Sequence, residues 1–202
     1  MSYRDLTIRD LKQRFGLQIG EERDLFSELS SIVVSPALTG TLAETVPLAL
    51  AISTEKARSE LIIVPVLLEA RRRADLRIGF FSGIEFSVDP QRGLDGVCEF
   101  LLSRSPEQLS IEAPVIAVVE AKNEDMRAGI GQCLAEMLAA RIFNEKEGRG
   151  EEIIYGAVTT GNTWRFLRLQ NDEAQVDQTE YYINEVGRIV GILKAMLDGT
   201  AG

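Results

Sequence analysis

Apolar and polar positions change rhythm along this chain. Over residues 3–15 they follow a helical period, with Leu6, Ile8, Leu11 and Phe15 marking the apolar stripe of a short amphipathic helix that Gly16 ends. Residues 41–52 form a second helical candidate. A longer helix is expected over 53–73, with Ser53 or Thr54 as its cap and Glu55 and Lys56 in its first turn. Pro65 lies inside it, where the missing N–H predicts a kink or a local irregularity. From residue 76 the period shortens to that of strands. LRIGFFSGIEFSVD (76–89), LDGVCEFLLS (94–103) and APVIAVVEAK (113–122) read as three strands, separated by a turn at 90–93 and a loop that begins at Ser105-Pro106. Residues 127–146 return to a helix that is apolar on most faces and so packs on more than one side. IIYGAVTT and TWRFLRLQ flank Gly161-Asn162, a hairpin signal; QVDQTEYYI adds an edge strand, and EVGRIVGILKAML a closing helix. This order predicts an α/β fold with a mixed central sheet flanked by helices, in a domain over 53–202. Residues 1–52 read as an N-terminal helical extension for docking or dimerisation.

Composition narrows the chemistry. The 202 residues are 45% apolar, enough for one domain with a real core. No apolar run reaches the ~18 residues of a membrane span, and the charged N-terminus does not read as a secretory signal, so a cytoplasmic protein is expected. Cys98 and Cys133, the only cysteines, read as reduced core residues. The chain has no histidine, which removes Ser-His-Asp and Cys-His catalysis and His-based zinc sites. A carboxylate site favours a hard cation, magnesium or manganese. The net charge of −9 argues against a broad nucleic-acid surface but leaves room for a local basic patch. Arg71, Arg72, Arg73 and Arg77 are the densest positive cluster, suited either to acidic neighbours or to phosphate.

The chemistry concentrates where an apolar strand runs into Glu120-Ala121-Lys122. Strand alternation puts Ile116, Val118, Glu120 and Lys122 on one face, and Val115, Ala117, Val119 and Ala121 on the other. The plain explanation is a strand emerging into solvent. Asp95 supplies a second carboxylate at the start of the preceding strand, and two carboxylates brought together there would repel unless a cation sat between them. The same acidic-x-Lys spacing at Asp10-Leu11-Lys12 lies on an amphipathic helix and needs no function. On the following helix Gln132 and Glu136 share a face, and Gln132 can reach a metal-bound water or a phosphate. Glu60 aligns with Val64 and Leu67 on the expected packed stripe of its helix; a salt bridge to Lys56 or Arg71 is the alternative. Glu85 and Asp89 read as ordinary strand and turn residues, and Tyr155 and Trp164 as core.

Together, GLDGVCEFLL, VVEAKNE, GIGQCLAEM and YGAVTTGNTWRFLRL resemble the PD-(D/E)XK nuclease superfamily over about residues 54–170, with Leu94 where that family has proline. The resemblance implies a restriction-endonuclease-like core and a magnesium (or manganese) site on Asp95 and Glu120, joined by Glu60 from the helix before the sheet. It places the attacking water on Lys122 and makes Gln132 a supporting residue. The backbone carbonyl of Ala121 offers a further ligand. The expected activity is hydrolysis of DNA phosphodiester bonds, by a homodimer that gathers its positive groups on one side. The alternative is a non-catalytic module of the same fold that binds a protein partner. A small-molecule enzyme has no Gly-rich phosphate loop to support it.

Overall fold

A computed structural model describes residues 2–22, 24–75, 77–123, 125–150 and 153–201; Leu76, at the start of the first expected strand, lies outside them. Helix α1 (Ile8–Phe15) begins at Thr7. The Thr7 hydroxyl accepts the Asp10 N–H while the Asp10 carboxylate accepts the Thr7 N–H. The acidic residue of Asp10-Leu11-Lys12 is therefore a helix cap. Gly16 stops the helix in the left-handed conformation, with φ 72°.

The chain then forms β1 (Gln18–Glu22), a strand not expected within residues 1–52, and α2 (Pro36–Ile52). Helix α3 (Glu55–Arg58) runs through a π-turn (Ser59–Ile63) into α4 (Val64–Arg73). Pro65 explains this irregularity. It cannot donate to the Leu61 carbonyl, which instead accepts from the Thr45 hydroxyl of α2 at 2.6 Å.

Strands β2 (Gly79–Glu85), β3 (Val97–Ser103) and β4 (Val115–Ala121) lead to α5 (Met126–Lys146). Strands β5 (Ile154–Thr159), β6 (Thr163–Gln170), β7 (Glu173–Asp177) and β8 (Tyr181–Tyr182) precede α6 (Val186–Asp198). The fold is α/β, with a mixed eight-stranded sheet in the order β1-β7-β6-β5-β4-β3-β2 and β8 beside β6. β4 runs parallel to β5 and antiparallel to β3, and β1 runs parallel to β7. β7, expected at an edge, is interior because β1 covers it.

Helices α2, α4 and α6 bury one sheet face against Phe100, Val119, Tyr155, Trp164 and Phe166. Helices α1 and α5 bury the other against Leu101, Val118, Val158 and Leu167. Alternation along β4 holds from Ala117 to Ala121 but reverses at its start. The register against β3 slips between Leu102 and Ser103, so Ile116 joins the α4–α6 side instead of sharing a face with Val118. No helix among the described residues is long and apolar enough to cross a membrane.

Candidate functional site

Strand β4 is buried along its whole length because strands flank it on both edges and helices cover both faces. Its ladder to β5 continues past the strand end, with Lys122 N donating to Thr159 O at 2.8 Å. Glu120 therefore does not emerge into solvent; it is 0% exposed, on the face covered by α5. Lys122 folds back over it, and its Nζ donates to Glu120 Oε1 at 2.5 Å and to Gln132 Oε1 at 3.0 Å. Gln132 Nε2 donates in turn to Glu136 Oε1 at 3.0 Å. Four polar side chains thus form one line beneath α5, three of them buried and Lys122 nearly so.

Two local features hold α5 in this position. Gly129 lies against the strand, where an added Cβ would come within 2.6 Å of Val158 Cγ1 and 2.8 Å of Lys122 Cγ. A glycine is required there for the helix to pass over the lysine stem. At the other end, buried Asn144 pairs with the backbone of Val115, accepting from its N–H at 2.8 Å and donating to its carbonyl at 2.7 Å. Neither residue stood out in the sequence. A glycine in a helix and an asparagine two turns from the nearest motif gain meaning only from what lies across from them.

The electrostatics are those of charges kept from water. Burial raises the Glu120 carboxyl to about 7, against the opposing pull of Lys122; Glu99 and Glu55 raise it further. Burial also holds Glu136 well above the ordinary carboxylate range, with Glu120 adding to the effect. Oε2 of Glu120 and Oε2 of Glu136 find no hydrogen-bond donor among the described residues. Burial raises the Cys98 and Cys133 thiols as well, so neither is a thiolate nucleophile near pH 7.

The remaining expected site residues lie elsewhere. Asp95 precedes β3, is half-buried, and gives its backbone carbonyl to Tyr3 N at 3.0 Å. No hydrogen bond or ion pair among the described residues joins its carboxylate to Glu120. The reason is register. Phe100 pairs with Val119, and Asp95 lies five residues, ~16 Å of extended chain, before that pair. Glu99 is an acidic residue whose charge acts on Glu120, and the sequence did not single it out.

Glu60 is a correction. Its side chain is 59% exposed and pairs with Lys56 at 2.7 Å. It lies within the π-turn, whose extra residue rotates it off the stripe that a uniform 3.6-residue period would draw. The buried carboxylate of this helix is Glu69, expected near the opposite side. It accepts from Ser35 N and Oγ, both at 2.9 Å, and from Arg72 and Arg73 at 2.8 and 3.0 Å. Arg71 donates to the Ile78 carbonyl, so three members of the arginine cluster are held within the fold. Ala121 pairs with Thr159, and its methyl is buried on the opposite face from Glu120.

A groove of about 410 Å³ opens between α3, the π-turn and β2–β3, with Glu55, Glu60 and Glu99 set against Lys56; the charges of Glu99 and Glu55 reach Glu120 from there. No three Asp, Glu or Cys side chains among the described residues gather closely enough to cage an ion by themselves. A magnesium ion does not need such a cage, because it keeps several waters and binds through one or two carboxylates. The orphaned Glu120 Oε2, with Glu99 acting on it, fits a site of that kind. Comparison with protein-family models, curated proteins and solved structures finds no match for this chain.

Proposed function

We propose that this chain is a metal-dependent phosphodiesterase with a restriction-endonuclease-like core, acting on DNA. The observation that carries the reading is the line Glu120–Lys122–Gln132–Glu136, a hydrogen-bonded run of polar side chains, three of them buried, at the end of the central strand. Burying a charged group costs several kcal/mol unless it is paired or holds a metal, and Glu120 and Glu136 each keep one buried oxygen without a donor. The order of α3–α4, three strands, α5 and a strand parallel to β4 supports the same core.

Glu120 Oε2 and Glu99 would hold magnesium or manganese, with the Ala121 carbonyl as a third ligand and Glu99 in the place first given to Asp95. The ion would polarise the scissile phosphate and lower the pKa of a bound water. Lys122, released from Glu120 once the carboxylate turns to the cation, would direct its ammonium at the attacking water and the developing negative charge. Gln132 keeps Lys122 over the site, and Glu136 fixes the Gln132 amide so that its oxygen faces the lysine. The acidic net charge of −9 supports a second reading, a module of this fold that binds a protein without cleaving.

Incubation of supercoiled plasmid and single-stranded DNA with magnesium, manganese or EDTA separates the two. We expect metal-dependent nicking that falls at least 100-fold in Lys122→Ala and in Glu120→Ala, since lost catalytic groups cost that much or more. Unchanged cleavage by either purified variant would overturn the site assignment. No cleavage by the unaltered chain with either metal would leave the second reading.

A further inference from the structure

The cationic side chains of this acidic chain are not evenly committed. Among the described residues Arg4, Arg9, Lys12 and Arg127 make no hydrogen bond or ion pair, and all four are exposed. They line a single groove of about 690 Å³ between α1 and the first turn of α5. Apart from Arg77 and Arg149, every other described Arg and Lys is held by a carboxylate, a carbonyl or an amide of the fold. The nearby acidic groups take backbone N–H groups: Asp5 that of Ser2, Asp10 that of Thr7 and Asp125 that of Ala128, while Arg14 and Arg9 act on Asp10 through their charge. Close packing fixes the groove, since a Cβ on Gly131 would lie 3.3 Å from the Leu6 carbonyl. Its α5 wall begins at Asp125, three residues beyond Lys122, and Gly129 of the same first turns packs on the Lys122 stem.

We infer that this groove binds the sugar-phosphate backbone of a nucleic-acid strand, on the face of α5 away from Gln132 and Glu136. The inference rests on the phosphodiesterase reading in one respect, the identification of the polyanion as nucleic acid. Four unpaired cations in one groove give a local positive field on a chain of net charge −9, so binding is confined to this face. The N-terminal segment then has a role: it supplies Arg4, Arg9 and Lys12, and α5 supplies Arg127.

The test is fluorescence anisotropy of the full chain in EDTA with labelled duplex DNA, single-stranded DNA and polyglutamate of equal charge. With about four phosphate contacts, log K should fall against log salt with a slope of about −2.8 for single-stranded DNA and about −3.6 for duplex, a loss of roughly 50- to 150-fold between 50 and 200 mM salt. Arg9→Ala/Lys12→Ala/Arg127→Ala should flatten the slope to about −1 and weaken binding at least tenfold at 50 mM salt. Arg77→Ala/Arg149→Ala should bind as the unaltered chain does. All the changed side chains are exposed, and a single Lys12→Glu variant with an unshifted melting temperature serves if the triple variant does not fold. Absence of DNA binding at 50 mM salt, an unaltered slope in the folded variants, or polyglutamate binding as tight as DNA would each overturn the inference, the last in favour of an acidic protein partner. Binding with the expected slope but no cleavage leaves the groove and removes the phosphodiesterase. Cleavage with binding unchanged in the triple variant does the reverse.

Discussion

Glu69 and Glu120 are both buried, and their surroundings give them opposite chemistry. Glu69 accepts from Ser35, Arg72 and Arg73, and these donors hold its carboxyl at about 2 despite the opposing effect of burial. Glu120 has one cationic donor for two oxygens, and its carboxyl rises to about 7. The first is a structural joint that ties α4 to the start of α2; the second keeps one oxygen without a donor. A carboxyl lowered in the fold stabilises it fully above the unfolded pKa of ~4.3, and that contribution is lost as pH falls toward the folded value. Glu69→Gln should therefore cost roughly 1–3 kcal/mol at pH 7, in view of its partly exposed arginine partners, and the gap from the unaltered chain should close by about pH 2. Urea titrations from pH 2 to 7 measure this, and a gap independent of pH would refute the role given to Glu69.

At the scale of elements, the helix pair α3–α4 shows how one residue resets a pattern. Pro65 was visible as a point of irregularity, but the form it takes depends on α2, which brings Thr45 to the Leu61 carbonyl. The resulting π-turn shifts the helical phase, turning Glu60 outward to Lys56 while Glu69 is buried. Thr45→Val keeps the volume and removes the donor, leaving a half-buried carbonyl unsatisfied. A loss of about 1–2 kcal/mol in a urea titration is expected, with Thr45→Ser restoring most of it. An equal loss in both variants would show that packing, not the hydroxyl, matters. The bulge at the start of β4 is the strand counterpart, since it reverses the faces of Val115 and Ile116 while sparing the run to Glu120.

Across the whole molecule, charge of like sign is gathered around the end of the central strand. Glu99 and Glu55 act on Glu120 there, Glu120 and Glu99 act on Glu136, and Lys122 opposes both effects only in part. A cation that binds the folded state alone stabilises it by mass action; 10 mM of an ion with a Kd near 1 mM contributes about 1.4 kcal/mol. For a chain of this size that is a rise in melting temperature of about 3–6 °C. Magnesium or manganese should produce it, and Glu120→Gln should cancel it. A melting curve indifferent to both metals at 10 mM would speak against the cation site while leaving the basic groove untouched.

By itself the sequence determined the course of the chain: the positions of the helices, the three strands, the hairpin at Gly161-Asn162, and the special character of Glu120, Lys122 and Gln132. These follow from local periodicity and from a charged pair ending an apolar run, which need no knowledge of neighbours. Tertiary structure alone decided the rest. Strand pairing, which the sequence does not encode locally, set Phe100 against Val119 and left Asp95 five residues before that pair. The phase slip of a π-turn exchanged Glu60 for Glu69. The packing of α1 on α5 joined Arg9 and Lys12 to Arg127, more than a hundred residues away, because cations that repel along an extended chain share a groove only when the fold holds them there.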